Sequence, residues 1–245
     1  AEYIPVNYGQ PPPEITNGRK VYILDFSYPR DVLLKMSGNT AYPITILDHH
    51  KTAKAALEGI KKATTRANAF EIVFDMEKSG GRLTWEWFFP GQPSPWLVDY
   101  TEDRDLWRWK LEESREVSAC LASWPWTFEE WELLAKDTTA VVYFAEQGTA
   151  ILRYQAKQVE SQCQNAVEIE MAGHKILAVN ATHLISEIAG KLAEGRPFGA
   201  TYFIRSDGCK VWSLRSRDGG IDVSEVAKAR GGGGHRNAAG FEEML

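Results

Sequence analysis

Three short apolar runs in the first third of the chain each end directly before an aspartate. The runs cover residues 21–24, 44–47 and 72–74, and the aspartates that follow them are Asp25, Asp48 and Asp75. Short, continuous runs of β-branched and other apolar residues are typical of strands that a parallel sheet buries on both faces. The chain is therefore predicted to contain a parallel sheet, whose strands need long crossover connections between them.

Helices are predicted in those connections. Residues 27–36 begin with Ser27 as a candidate cap, residues 52–62 are rich in Ala, Lys and Leu, and residues 79–88 begin with Ser79-Gly80. Alternating strands and helices favour an α/β fold with a doubly wound, mostly parallel sheet. We assign this domain to residues 1–135.

The second half of the chain has a different pattern. Residues 136–170 are polar and helical in character, which predicts a connecting helix. Strand signals return at residues 175–179, 200–204 and 210–214. We therefore expect a smaller α/β domain over residues 171–245, joined to the first by the helix, with a cleft between the two domains.

Charge is distributed unevenly between these parts. The chain has a formal net charge of −5, but residues 171–245 hold 10 basic and 8 acidic side chains, whereas residues 1–170 hold 18 and 25. A basic domain on an acidic protein favours attraction of an anionic substrate to that domain.

The first candidate site lies at the ends of the first two strands. Asp25 and Asp48 follow neighbouring strands, and ligands bind at the carboxyl ends of the strands in α/β sheets. A single aspartate after a strand is usually a cap or a turn residue. The adjacent pair His49 and His50 changes this interpretation, because an imidazole beside carboxylates can ligate a metal while a second imidazole contacts the substrate.

An acidic segment follows further along. Residues 99–105 contain four carboxylates and come directly after the apolar residues 96–98. Alone, such a run is typical of a solvated loop; beside a His and Asp site it could supply another oxygen ligand. Mixed Asp and His ligation favours Mn²⁺, with Mg²⁺ as the alternative.

A glycine run near the end is the second candidate site. Residues 231–234 are all glycine and precede His235, Arg236 and an Ala-rich segment. Glycines let backbone N–H groups approach an anion, and the Ala-rich segment is expected to begin a helix whose N-terminus favours phosphate. Arg215 lies on the nearby basic stretch. The alternative, a flexible linker, fits poorly with the residues that follow.

Together these motifs resemble the DHH phosphoesterase family with its DHH-associated C-terminal domain. The residues that carry the resemblance are Asp25, Asp48-His49-His50, residues 102–105 and residues 231–241. The resemblance covers nearly the whole chain, and residues 25–29 and 102–107 are most similar to the branch of oligoribonucleases and cyclic-nucleotide phosphodiesterases. It implies the division into a DHH catalytic domain, a connecting helix and a substrate-binding domain.

The resemblance also implies a mechanism for the first domain. It implies a two-metal hydrolase, usually Mn²⁺-dependent, that cleaves phosphodiester or phosphomonoester bonds of small nucleotides. Asp25 would bridge the metals, and His49 and Asp103 would ligate one of them. Asp48 would orient an imidazole, and His50 would contact the scissile phosphate.

For the second domain, the resemblance implies substrate binding. Gly233, Gly234 and His235, together with Arg215, would hold the other end of the substrate. The expected partners are thus a short oligonucleotide or nucleotide and, as one option for assembly, a second copy of the chain in a homodimer.

One family feature is missing from the sequence. The family begins with a strand and a motif of His and Asp that ligate the other metal, yet Glu2 and Glu14 are the only acids before Asp25 and no histidine precedes His49. Two interpretations stay open: the motif was removed or left out, or the protein is a divergent homologue with one intact metal position.

Three functions therefore compete. The leading hypothesis is a Mn²⁺-dependent phosphohydrolase of short oligonucleotides or small nucleotides. A non-catalytic nucleic-acid-binding homologue is the alternative, because eight of the nine tryptophans fall between Trp85 and Trp131 and aromatic side chains can stack bases, although core packing is the commoner use. An enzyme for pyrophosphate or polyphosphate is the third.

Targeting signals are not evident. No apolar run approaches the roughly 18 residues of a membrane span, and no basic and apolar leader opens the chain. We expect a cytoplasmic protein without a membrane partner.

Overall fold

The computed structural model describes residues 1–16, 18–63 and 69–244. The chain divides into two units, Ala1–Tyr143 and Phe144–Leu245. The division falls within the segment predicted to be the connecting helix.

A parallel three-stranded sheet forms the centre of the first unit. Its strands are β1 (Val21–Leu24), β2 (Ile44–Asp48) and β3 (Phe70–Phe74), and they lie side by side in chain order. Every residue of β2 is buried, because this central strand has a neighbour on each edge and apolar side chains on both faces. The predicted parallel sheet is confirmed.

Helices fill the connections of the first unit. They are α1 (Arg30–Gly38), α2 (Lys51–Ala56), α3 (Gly80–Phe88), α4 (Trp96–Asp105), α5 (Ser114–Leu121) and α6 (Phe128–Lys136), and α7 (Ala140–Cys163) continues into the second unit. The core of this unit contains Ile23, Leu33, Ile46 and Phe70.

Three local expectations for the first unit need correction. α1 begins after Pro29 without a side-chain cap, so Ser27 is not its cap. The predicted helix over residues 52–62 is broken into α2 and a short 3₁₀ turn, Ile60–Ala63. The acidic residues 99–105 lie on a helix, α4, and not in a loop.

A six-stranded mixed sheet forms the second unit. Its strands are β4 (Val167–Met171), β5 (His174–Asn180), β6 (Gly199–Ile204), β7 (Cys209–Arg215), β8 (Gly233–His235) and β9 (Ala238–Met244), in the order β4-β5-β6-β7-β9-β8. The pair β5 and β6 is parallel and the others are antiparallel. Two helices, α8 (Ile185–Leu192) and α9 (Val223–Lys228), belong to this unit.

Strands β5, β6 and β7 confirm the three strands predicted from the sequence. Two features differ. β4 occupies residues that were predicted to be helical, and its alternation of apolar and acidic residues, Val-Glu-Ile-Glu-Met, is the period-2 signal of a strand. The Ala-rich segment after the glycine run is strand β9, not a helix.

The α/β class of the fold is thus confirmed, with a parallel sheet followed by a second, mixed sheet. Across the described residues, no helix has the length and apolar character that a membrane crossing requires.

Candidate metal centre

Asp25 lies directly after β1, at the carboxyl edge of the parallel sheet. Its N–H donates to the carbonyl of Leu47 at 2.8 Å, so it is tied to β2, and its φ of 55° turns the chain away from the strand. Its side chain is 53% exposed. A Cβ atom placed on Gly80, the first residue of α3, would overlap the side chain of Asp25. Gly80 therefore makes room for this carboxylate, a role that the sequence analysis missed.

Asp48, the last residue of β2, is fully buried and holds the two histidines that follow it. Its Oδ1 accepts from the backbone N–H groups of His49 at 2.7 Å and His50 at 3.2 Å, and lies 2.7 Å from Nδ1 of His50. Its Oδ2 accepts from the hydroxyl of Ser27 at 2.5 Å.

These contacts decide the ionisation of Asp48. Burial would raise the pKa of this carboxyl, but the hydrogen bonds from His50 and Ser27 outweigh burial and lower the pKa below its ordinary value. Because an ionised carboxylate can only accept hydrogen bonds, Nδ1 of His50 carries a proton and donates it to Asp48. This geometry meets the requirement of the orienting role predicted for Asp48; the role itself stays a prediction.

The ring of His49 faces two carboxylates from separate elements. Its Nε2 lies 3.1 Å from Oδ1 of Asp25 and 3.4 Å from Oδ2 of Asp105, the last residue of α4. The His49 side chain is only 2% exposed. We call Asp25, His49 and Asp105 the strand-end group.

Electrostatics couple the three members of the strand-end group. Burial would lower the pKa of His49, but the hydrogen bond with Asp25 and the charges of Asp105 and Asp25 raise it overall. Burial also raises the pKa of Asp105, and the negative charge of Asp25 adds to that effect. Two carboxylates held this close to one imidazole are an arrangement that a cation would stabilise.

Asp103 is not brought to the strand-end group. Both oxygens of its carboxylate accept from the N–H of Lys110 at 3.0 Å, and one also accepts from Leu111 at 3.2 Å. Burial would raise the pKa of Asp103, but the nearby Ser114 hydroxyl and the hydrogen bonds from these backbone groups lower it. Its carboxylate thus closes the turn after α4, and Asp105 occupies the position beside His49 that was expected for Asp103.

The signal that separates these two aspartates is the helix itself. Residues two apart on an α-helix are rotated by about 200° around the helix axis, so their side chains lie on nearly opposite sides. Recognising residues 96–105 as a helix would have shown that Asp103 and Asp105 cannot both face the strand ends.

Tyr8 also reaches this region from the N-terminal segment. Its ring lies 4.7 Å from that of Phe26 and 6.3 Å from that of His50, edge-on to the latter. No local sequence pattern predicts that Tyr8 lies here.

In the second unit, the structure brings the predicted substrate-binding residues to one end of the sheet. Ala238 of β9 pairs with Arg215 of β7 on one side and with His235 of β8 on the other. The Arg215 guanidinium donates to the carbonyl of Leu214 at 2.8 Å and to the hydroxyl of Ser186 at 2.7 Å. Burial lowers the pKa of Arg215.

The glycine run has a structural explanation of its own. Cβ atoms placed on Gly232 or Gly234 would overlap the backbone of β9, and Gly234 has a φ of 139°. Gly233 and Gly234 lie within β8 and pair with Gly240 and Ala239. Close packing of the hairpin therefore requires glycines here, and no helix N-terminus follows them.

The tryptophans between Trp85 and Trp131 are not core residues. Trp107 and Trp126 are exposed, and the other six are half-buried. Six of the eight are thus partly packed against the protein, and the use of any of them for base stacking stays a prediction.

The residues of the first unit fit a divalent cation. The strand-end group offers one imidazole nitrogen and two carboxylates, and Asp25, Asp48 and His50 also offer ligand atoms that lie within 4.8 Å of one another. Imidazole and carboxylate together suit a borderline to hard divalent ion. The donor set does not select one metal.

Comparisons with known proteins agree with the resemblance seen in the motifs. An uncharacterized protein of Acanthamoeba polyphaga mimivirus is 32% identical over 233 residues, which span 91% of this chain and 53% of that protein. Oligoribonuclease NrnB of Bacillus subtilis (strain 168) is 26% identical over 219 residues, which span 80% of this chain and 52% of that protein. The chain therefore spans about half the length of these relatives.

Among solved structures, the DHH domain of a member of the s1p family of ribosomal proteins shares the fold. It matches with a TM-score of 0.50 and 13% identity, over 90% of this chain and 65% of that one. No family model matches the chain. The predicted resemblance to the DHH family is confirmed by the fold and by the oligoribonuclease relative.

Proposed function

We propose that this chain, whose fold and strand-end motif resemble the DHH family, is a metal-dependent phosphoesterase of short oligonucleotides or small nucleotide phosphates. The observation that carries the proposal is the position of His49 Nε2 between the carboxylates of Asp25 and Asp105, beside the Asp48-held ring of His50. The similarity to an oligoribonuclease supports the choice of substrate.

The proposed cofactor is Mn²⁺, with Mg²⁺ as the alternative, and two ions are expected in a complete family site. Asp25, His49 and Asp105 would hold one ion in this chain. When bound, divalent cations supply Lewis-acid activation of water and neutralise phosphate charge. We assign to Asp105 the ligand position that the motif had given to Asp103.

The chain's own residues orient the phosphate. Asp48 fixes the His50 ring through Nδ1, so that Nε2 can contact the phosphate in one defined orientation. In the second unit, we propose that Arg215, Gly233, Gly234 and His235 bind the substrate, because Arg215 and His235 lie level with each other at one end of the sheet.

The direct test is hydrolysis of a ribodinucleotide with Mn²⁺, with Mg²⁺ and with a chelator. We expect hydrolysis with metal, none with chelator, and a loss of about 10³-fold in His49→Ala, since removal of a ligand costs several kcal/mol of transition-state stabilisation. His174→Ala, which alters a histidine of β5, is the matched control and is expected to retain activity. Equal rates in wild type and His49→Ala would refute the proposal.

A second candidate is a non-catalytic nucleic-acid-binding protein. Two exposed tryptophans, Trp107 and Trp126, favour it, because exposed aromatic side chains can stack on bases. Calorimetry separates the candidates: Mn²⁺ binding that His49→Ala abolishes favours the phosphoesterase, whereas oligonucleotide binding without metal binding favours the second candidate. Hydrolysis of pyrophosphate but not of the dinucleotide would point to a pyrophosphatase. The cytoplasmic location and the homodimer stay predictions.

A further inference from the structure

Tyr8 sits at the tip of a closed turn. The N–H of Gln10 donates to the carbonyl of Asn7 at 3.2 Å, and the side-chain carbonyl of Gln10 accepts from the N–H of Asn7 at 3.1 Å. Gly9 has a φ of 84°, which the third position of such a turn requires and glycine adopts without steric cost. These hydrogen bonds fix the backbone on both sides of Tyr8, which is 61% exposed.

The Tyr8 ring is supported from beneath by the core. It packs at 4.7 Å on Phe26, which is 7% exposed and in turn contacts the buried ring of Tyr28 at 4.9 Å. Phe26 directly follows Asp25 in the chain, so Tyr8 packs on the neighbour of a residue in the strand-end group. A large aromatic surface is thus fixed in place and left open to solvent.

The direction of this ring relates it to the phosphate position. Tyr8 lies 6.3 Å from the ring of His50, centroid to centroid, and the two planes meet at 81°. A phosphate contacted by His50 would therefore lie near the Tyr8 ring. Groups attached to that phosphate would reach the exposed surface of the ring.

We propose that Tyr8 forms a stacking subsite for the nucleobase of a nucleotide whose phosphate is bound by His50 and the strand-end group. This inference rests on the proposed function and sharpens it, since a base-binding surface selects nucleotides over pyrophosphate or polyphosphate. Stacking on an aromatic ring accepts every base, so the subsite confers a preference for nucleotides without a preference for sequence.

The test compares two ligands that differ only in the base. Adenosine 5′-monophosphate and ribose 5-phosphate carry the same sugar and phosphate, and their affinities for the protein with Mn²⁺ are measured by calorimetry. We expect adenosine 5′-monophosphate to bind about 10-fold more tightly, within the range for one base stacked on one aromatic ring. Tyr8→Leu is expected to remove that difference, and Tyr8→Phe to keep it.

Tyr3→Leu is the matched control variant. Tyr3 lies in the same N-terminal segment, is 66% exposed and packs on Phe128 at 4.6 Å. It is therefore an exposed tyrosine packed on a phenylalanine, like Tyr8, but it does not contact the strand-end group. It is expected to keep the wild-type preference. Thermal melts of all three variants check that they fold.

Several outcomes would overturn the subsite. They are equal affinities of wild type for the two ligands, an unchanged preference in Tyr8→Leu, or a loss in Tyr8→Phe as large as in Tyr8→Leu, which would assign the effect to the hydroxyl. Because binding is measured, failure of the subsite is distinct from failure of hydrolysis. A preference that disappears in Tyr8→Leu would stand even if no dinucleotide is cleaved.

Discussion

In the first unit the candidate chemistry comes from side chains that three elements supply, whereas in the second unit it comes from one hairpin. Asp25 follows β1, His49 follows β2 and Asp105 ends α4, and His49 Nε2 lies within 3.4 Å of both carboxylates. Gly232 and Gly234 instead meet the backbone of β9, where no Cβ atom would fit.

The contrast shows that an unusual sequence pattern can arise from either of two causes, function or packing. Two carboxylates held beside one buried histidine repel each other, and that electrostatic cost indicates function because packing does not require it. A glycine in a hairpin can be required by packing alone. The two regions should therefore respond differently to substitution, in activity for the first and in stability for the second.

The largest difference is expected between two adjacent glycines of α3. Gly80→Ala places a methyl group against Asp25 and should lower activity and Mn²⁺ affinity by about 100-fold, because displacement by about 1 Å in an active site has that effect. Gly81→Ala meets only the Ser79 hydroxyl at 3.8 Å and should leave both unchanged. Equal effects in the two variants, measured by dinucleotide hydrolysis and calorimetry, would contradict the site.

The aspartates of α4 should separate in the same way. Asp105→Asn is expected to weaken Mn²⁺ binding by about 10- to 100-fold. The pKa of Asp105 is raised in the folded protein, so above its ordinary pKa of 3.8 the charged carboxylate destabilises the fold. Because asparagine carries no charge, this variant should also unfold at a higher temperature near neutral pH.

Asp103→Asn should show the opposite balance. It leaves the N–H groups of Lys110 and Leu111 with a weaker acceptor, which should lower the free energy of unfolding by about 1–3 kcal/mol while metal affinity changes little. Greater loss of metal binding in Asp103→Asn than in Asp105→Asn would restore the ligand set implied by the motif.

The hairpin is tested by its own pair of glycines. Gly234→Ala should lower the free energy of unfolding by about 1–3 kcal/mol, since its Cβ atom would overlap β9. Gly190→Ala, in the middle of α8 with open space around it, should instead be neutral or stabilising by up to about 1 kcal/mol. Urea unfolding measures both. If Gly234→Ala were as stable as wild type but no longer bound substrate, the glycine run would be assigned an anion-binding role.

The smallest effect is the pH dependence of stability in the first unit. The folded-state pKa of Asp103 is below its ordinary value of 3.8, so its contribution is complete above that value and is lost as the pH falls through the folded-state pKa. Urea unfolding from neutral pH to about pH 3 should show a shallower acid limb in Asp103→Asn than in wild type. Parallel curves would contradict the assigned hydrogen bonds.

Much of the first unit could be predicted because parallel strands end at one edge. That rule places Asp25 and Asp48 together without any knowledge of the loops. The rule does not extend to α4, because which residues of a helix face the site depends on where the helix begins. The sequence Trp96-Leu97-Val98 before an acidic run has no helical periodicity that would indicate that start. The choice between Asp103 and Asp105 needed coordinates.

Gly80 and Tyr8 were beyond sequence reasoning for another reason. Their positions depend on contacts between segments far apart in the chain, Gly80 with Asp25 and Tyr8 with Phe26. In the second unit, β8 consists of two glycines and a histidine, which have little intrinsic strand preference, so tertiary pairing with β9 decides its structure.

The backbone at Asp25 bears on any attempt to redesign this protein. A left-handed φ of 55° costs a non-glycine residue on the order of 1 kcal/mol, and glycine or asparagine fits there with less strain. Directed evolution for heat resistance, or a design method that scores only how well a residue suits its backbone, would therefore replace the one aspartate that lies closest to His49 Nε2. A variant engineered for thermal stability should therefore keep aspartate at position 25 and gain stability from substitutions at other positions.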